Sequence, residues 1–333
     1  MRVITRVLLT ALLAALFMSR QAAAETSELR IAQQPGLSYL VYVVMQHEQM
    51  IEKAAAEAGL GPVKVTWFKF SGGSMMNDAL LSGGLDIANS GPTQLITMWA
   101  ATRTSLKVKG IAAYNALPNI LLVRDPAVKS LADFTENDRI AVPSVKTSMQ
   151  ALYLQMASEK VFGDASRLDH LTIARGHPDA MAEMLQPRGQ ITAHFSTLPY
   201  VGIALRTPGV HPILTGVEAI GGPATSGVAY TTTRFHDQNP KLFNAFFTAL
   251  KTAMDFVNTR RADAARIYLE VTQEKTTPEA IVAELAELKD PYDIAPQSVL
   301  KMAQFMFRHG QVKAVPEQWQ DLFFPEAHSL PGS

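Results

Sequence analysis

The sequence predicts an α/β protein of two lobes, each a parallel-type mixed sheet flanked by helices. Three observations lead there. Short strands alternate with helices of ordinary length from Glu28 to Leu214, a pattern that builds parallel sheets rather than sandwiches or bundles. Roughly 300 residues follow an N-terminal leader, more than a single compact core usually holds. Two stretches then break the alternation, Asn115-Ala116-Leu117-Pro118-Asn119 and the Gly- and Pro-rich Gly216–Ser226, which reads as a return crossing.

Met1–Ala24 has the marks of a secretory signal: Arg2 and Arg6, an apolar run from Val7 to Met18, and Ala22-Ala23-Ala24 before Glu25. The run is short for a membrane span, so cleavage near Ala24 and a periplasmic location are expected. There is no cysteine, which excludes a lipidated cysteine and any disulfide. Loss of Arg2, Arg6 and Arg20 leaves 27 basic against 30 acidic residues, a net charge of −3. That surface offers no footprint for nucleic acid.

A first strand, Glu28–Gln34, ends in the loop Gln34-Pro35-Gly36-Leu37-Ser38. One long helix is expected from Tyr39 to Ala58, with Val41, Val44, Met45 and Ile51 on its apolar face and Gly59 as its stop. The next unit is the most informative. Val63, Val65 and Trp67 alternate as a strand, Ser71-Gly72-Gly73-Ser74 opens a short helix, and Leu85–Asn89 is a second strand that runs into Ser90-Gly91-Pro92-Thr93. Both loops are small and polar, and each precedes a helix whose first N–H groups lack intrahelical partners. At the carboxyl ends of parallel strands, such loops make a seat for a small anion.

Thr93–Ala101 continues as a helix, and Val108–Tyr114 and Ile120–Val123 as strands. A second series begins at Ser130: strand Arg139–Val142, then Pro143-Ser144-Val145-Lys146-Thr147-Ser148 opening a helix to Val161. Strands at Leu171–Ala174, Gln190–Phe195 and His211–Leu214 alternate with helices at Pro178–Leu185 and Leu198–Leu205, and Gly227–Thr232 is extended. The rest is helical. Leu242, Phe246 and Leu250 stack at a spacing of four, and Pro278–Lys289 and Pro296–His309 each open with proline in the first turn. The apolar tail Trp319–Pro325 is expected to pack back onto a lobe.

The order of these elements, with the blocks SGGSMMNDALLSGGLDIANSGP, LLVRDPAVKSLADFTENDRIAVP and HPDAMAEMLQPRGQITAHFSTLPY, resembles the nitrate, sulfonate and taurine group of periplasmic substrate-binding proteins of ABC importers. The likeness runs from Leu29 to Leu269. It implies a bilobal Venus-flytrap, or type II periplasmic-binding-protein, fold. One lobe would be 25–118 with 222–333, the other 119–221, with hinges near Leu117–Ile120 and Gly216–Thr225. It also implies a monomer that carries a small-molecule ligand to an inner-membrane permease and its cytoplasmic ATPase, with no cofactor. Where such proteins often read Gly-Gln-hydrophobic-Asp-Ala, this chain has Gly189-Gln190-Ile191-Thr192-Ala193.

Carried onto this sequence, the resemblance points to Ser71, Gly72, Gly73 and Ser74 as holders of an anionic group, joined by Ser90, Gly91 and Thr93. Gln34, Ser38 and Tyr39 follow the first strand, and Tyr114 and Asn115 lie at a hinge. Ser144, Lys146, Thr147 and Ser148 are the second-lobe candidates, and His194, Phe195 and Tyr200 an aromatic wall. His177 and Asp179 read as a helix start. Enzymes of this fold that depend on cysteine are excluded by its absence. There is no Gly-x-Ser-x-Gly elbow, no His-Glu-x-x-His and no P-loop lysine, and no metal is expected. The expected function is capture of a small organic anion such as a sulfonate, taurine or nitrate. An aromatic carboxylate or a thiamine-precursor pyrimidine is the alternative ligand, and a periplasmic hydrolase the alternative from another class.

Overall fold

The computed structural model describes residues 24–333. The expected signal peptide, but for Ala24, lies outside them. Among the described residues no helix is long and apolar enough to cross a membrane.

Two five-stranded arrangements share one plan. In the first, β1 (Glu28–Gln33) runs parallel to β2 (Lys64–Lys69). A parallel bridge from Ile31 to Ile87 ties β1 to the segment entering β3 (Ala88–Ser90). β3 pairs antiparallel with β10 (Gly227–Thr232), and β10 with β4 (Val108–Asn115). The second sheet has the order β7-β6-β8-β5-β9. There β6 (Ile140–Val142) lies parallel to β7 (Thr172–Ala174) and β8 (Ala193–Ser196). β5 (Ile120–Val123) is antiparallel to β8 and to β9 (His211–Thr215). Each arrangement is thus three parallel strands plus an antiparallel pair. The chain passes from β4 to β5 and returns from β9 to β10, so each antiparallel pair is fed by both crossings.

Side chains alternate across the strands, and the core splits accordingly into two clusters. Ile31, Ala112, Leu122, Ala141 and Ala229 belong to one, while their neighbours Ala32, Ala113, Leu121, Val142 and Val228 belong to the other. The first cluster takes α1 (Leu40–His47), α2 (Met50–Glu57), α10 (Pro240–Thr259), α11 (Arg261–Thr272) and α12 (Pro278–Ala286). The second takes α3 (Gly73–Leu81), α4 (Pro92–Thr102), α5 (Met149–Phe162) and α13 (Val299–Arg308). The stack of Leu242, Phe246 and Leu250 on α10 is fully buried, worth about 1.5–3 kcal/mol for each side chain.

Four local expectations are corrected. The single helix over Tyr39–Ala58 is two, because Gln49 adopts a left-handed conformation (φ 50°) where α1, buried nearly all round, gives way to the half-exposed α2. The strand Gln190–Phe195 begins only at Ala193. The crossing after β9 contains α8 (Gly216–Ile220), opened by a capping box of Thr215 and Glu218. Pro296 precedes α13 rather than opening it; Ser298, also left-handed (φ 58°), stands at its start. The tail does pack back: Phe324 N donates to Gly110 O at 2.9 Å, and the Phe323 ring lies where a Cβ on Gly110 would stand.

Candidate functional site

The carboxyl ends of the parallel strands in the two sheets face one another, and their loops meet around a partly open cavity of about 50 Å³. Direct contacts close its rim. Leu37 N donates to Leu198 O (2.9 Å), Ser38 Oγ lies 3.3 Å from Thr197 Oγ1, and Ser74 Oγ 3.0 Å from Ser144 Oγ. Gln94 Nε2 reaches Thr147 O at 2.9 Å. A Cβ on Gly72 would stand 2.5 Å from Pro143 O, and one on Gly91 would strike Met149 Cγ, so glycine lets the two edges close this far. Room for a few water-sized groups suits a compact headgroup.

Four helices aim their first turns at this space. Gly73 opens α3, Gly91 precedes α4, Ser148 and Met149 open α5, and His177 opens α6 (His177–Met184); all of these residues line the cavity. Three of the four have glycine at the N-cap, Gly72, Gly91 and Gly176, and no side chain among the described residues caps them. Only Ser148 caps its own helix, its Oγ accepting from Ala151 N. Pro92 and Pro178 have no N–H, Gln94 N is taken by Gly91 O and Ala151 N by Ser148 Oγ, and the first-turn N–H groups that remain carry the positive end of each helix dipole toward one small volume. Among the described residues, no Asp, Glu, Lys or Arg lines it. The rest of the wall is amide and hydroxyl: Gln34, Ser38, Ser90, Gln94, Asn119, Gln150, Thr197 and Ser226, with Tyr39 and Tyr114.

A buried network fixes the floor. Gln34 Nε2 donates to Tyr39 Oη (2.7 Å), which donates to Asn89 O (2.8 Å). Asn89 Oδ1 accepts from Tyr42 Oη (2.6 Å), and its Nδ2 donates to Ala32 O (2.8 Å). Burial pushes the Tyr39, Tyr42 and Tyr114 hydroxyls above their usual range, so they stay neutral.

His177 is the titratable member of the wall. Its Nδ1 lies 2.9 Å from His194 Nε2, and its Nε2 3.5 Å from Gln150 Nε2. Burial away from countercharge pushes His177 down to about 4. Burial, and then His177 itself, push His194 well below the usual range.

Of the residues singled out from the sequence, Gln34, Ser38, Tyr39, Gly73, Ser90, Gly91, Tyr114 and Ser148 line the cavity. Gly72, Ser74, Ser144 and Thr147 stand on its closed rim instead. Thr93 is buried just behind, its Oγ1 without a partner among the described residues. The others lie elsewhere. Ser71 is exposed, its hydroxyl on Met75 Sδ. Lys146 is held left-handed (φ 63°) with an exposed side chain. Asn115 serves the crossing, donating to Ser38 O and accepting from Leu117 N. His194, Phe195 and Tyr200 do not line the cavity as an aromatic wall: Phe195 is core against Tyr153, Tyr200 donates to Glu274 Oε1 at 2.6 Å, and His194 backs His177. Missed were Gln94, Asn119, Gln150, Thr197 and Ser226, and His177 reads from the sequence only as a helix start. Gln94 and Gln150 sit in the first turns of helices whose openings had been marked, which was the available signal. Among the described residues no cluster of metal-ligating side chains occurs.

Solved structures of similar architecture place this arrangement. The alkanesulfonate-binding protein SsuA of Xanthomonas axonopodis pv. citri bound to MOPS is 20% identical with a TM-score of 0.71, over 88% of this chain and 96% of that one. The fold is that of the periplasmic binding proteins. The periplasmic aliphatic sulphonate binding protein SsuA of Escherichia coli (19% identity, TM-score 0.68, 90% and 93% covered) shares this periplasmic-binding-protein fold. So does the periplasmic nitrate-binding protein NrtA of Synechocystis PCC 6803 (15%, 0.65, 87% and 83%). No family model matches the chain, and no curated protein matches it.

Proposed function

We propose that this chain is the solute-binding component of an ABC importer and that it captures a small, fully ionised organic or inorganic anion in the cavity between its two sheets. One observation carries the reading. Four helix N-termini, three of them capped only by glycine, converge on one small cavity lined by neutral groups. N–H groups and hydroxyls alone can hold an anion, and such a site favours one that needs little hydration. The sulfonate- and nitrate-binding proteins of the same fold support that class. The 50 Å³ of space favours a compact headgroup over an aromatic ring.

In this reading, residues 25–118 with 222–333 form one lobe and 119–221 the other, and the contacts at Ser38, Ser74 and Gln94 are those of the closed form. Ligand contacts from both edges stabilise closure, which an inner-membrane permease recognises before its cytoplasmic ATPase acts. The protein works as a monomer in the periplasm after its leader is removed, without covalent chemistry.

The test is a thermal-shift screen of mature protein, unfolded and refolded to strip carried-over ligand, against alkanesulfonates, taurine, nitrate, aromatic carboxylates and pyrimidines. A ligand that binds only the folded state raises the melting temperature with occupancy. A rise confined to sulfonates or nitrate is expected. A rise with pyrimidines alone would overturn the anion reading.

A further inference from the structure

The hydrogen bonds behind the cavity leave one group whose role the proposed function does not use. Asn119 Nδ2 donates to Ser226 Oγ (3.1 Å) and Leu117 O (3.4 Å), which turns its Oδ1 toward Gln150 Nε2 at 2.7 Å. The second Gln150 hydrogen is therefore left for His177 Nε2, 3.5 Å away. With that nitrogen a lone pair, His177 Nδ1–H donates to His194 Nε2 at 2.9 Å, and the remaining His194 proton is on Nδ1, buried and without a partner among the described residues. An imidazole acceptor, met only by the long approach of Gln150, thus stands in the wall of a cavity lined by no cationic side chain among the described residues. An anion placed there meets a lone pair.

Resting on the anion-binding reading, we infer that His177, backed by His194, is the proton-linked specificity residue of the cavity: an anion binds together with one proton, which settles on His177 Nε2 and gives the ligand a charged donor. His177 Nδ1–H keeps its bond to the neutral His194 Nε2, and Gln150, whose hydrogen His177 Nε2 no longer accepts, turns that hydrogen to the ligand. The proton comes from solvent and no bond of the ligand changes. A neutral ligand gains nothing from the proton, so the pair selects ionised acceptors.

The surroundings leave this task to the pair. Tyr200 on α7 (Tyr200–Ala204) stacks on His177 with ring centroids 6.2 Å apart, its hydroxyl committed to Glu274. On α6 and just before it, Asp179 is exposed and Arg175 is paired with Glu183 at 3.3 Å. From the facing edge come Tyr39 and Tyr114, both neutral, and from α5 Gln150. Before the ligand arrives, burial holds His177 down at about 4. An anion beside it raises that value, so affinity climbs as pH falls from the bound-state pKa toward about 4, by at most tenfold per pH unit.

Calorimetric titration with ethanesulfonate at about pH 6, in bis-tris and in imidazole, reads the proton directly, because the two buffers release different heats on giving it up. Sulfonate buffers would compete and are avoided. Wild type is expected to take up a substantial fraction of a proton and to bind several-fold tighter at about pH 5.5 than at about pH 7.5. His177→Gln, which keeps an amide donor, is expected to bind more weakly with no uptake and a flat pH profile. Binding by wild type with buffer-independent heat would overturn the inference and leave the anion site standing, since a tautomer shift would then suffice. Uptake retained in His177→Gln would place the proton elsewhere and overturn it too. Absence of binding by any sulfonate or by nitrate would remove the anion reading and this inference with it.

Discussion

The start of α10 and the starts of the helices at the cavity pose the same chemical problem and meet it differently. At α10 the first-turn N–H groups of Lys241 and Leu242 are taken by the carboxylate of Glu25, at 3.0 and 2.8 Å. The molecule therefore already holds one anion on a helix N-terminus, supplied by its own chain. Elsewhere on the surface Thr215, Thr232 and Thr277 cap their helices with hydroxyls. At α3, α4 and α6 the sequence places glycine at the cap, and no side chain among the described residues fills it. Leaving such groups without side-chain partners lowers stability, and doing so three times around one cavity makes sense where a ligand supplies the missing acceptor.

Substitutions that keep the two edges apart should have the largest effect. In Gly91→Val the side chain would occupy the place of Met149 and hold the two edges apart. Anion affinity should fall by a hundredfold or more, about 3 kcal/mol, in calorimetry, with the melting temperature near wild type. Converting a cavity helix to the α10 solution is the next test. Ser90→Asp puts a carboxylate beside the start of α4, and should cut anion affinity by tens of fold while leaving the unliganded protein as stable or more so.

The effects on stability are smaller and sharpen the contrast. Burial holds His177 at about 4, below the ordinary histidine value of about 6.5. Protons therefore favour the unfolded chain, and stability present above about pH 6.5 is lost as pH falls through about 4. His177 should contribute about 3 kcal/mol of that loss, so denaturant unfolding across the pH range should show a smaller loss in His177→Gln, with the part due to burial of His194 remaining. Glu25→Ala, emptying the start of α10, should cost about 0.5–2 kcal/mol with anion affinity unchanged. Ser148→Ala should cost about the same, but with a freed N–H in the cavity its effect on binding should be slight.

The fold was legible in the sequence because its signals are local and redundant. Alternation of strand and helix, glycine and proline at the crossings, and the i, i+4 stack on α10 each report on neighbours in the chain. The helix break at Gln49 was not, since neither glycine nor proline marks it and the cause is tertiary, the change from all-round to one-sided burial. For the site, the first-lobe loops were readable from their small polar residues. Lys146 misled because charge suggests anion binding, whereas its backbone turns the side chain into solvent. The His177–His194 pair joins a helix start to a strand 17 residues on, and only packing brings the rings together.

The most direct test of the central claim compares ethanesulfonate with a neutral sulfone of matched size by calorimetry on stripped protein. The account predicts measurable binding of the sulfonate and at least a hundredfold weaker binding of the sulfone, because open helix N-termini reward charge. Equal affinity for the two would show that shape alone governs the cavity and would contradict the claim.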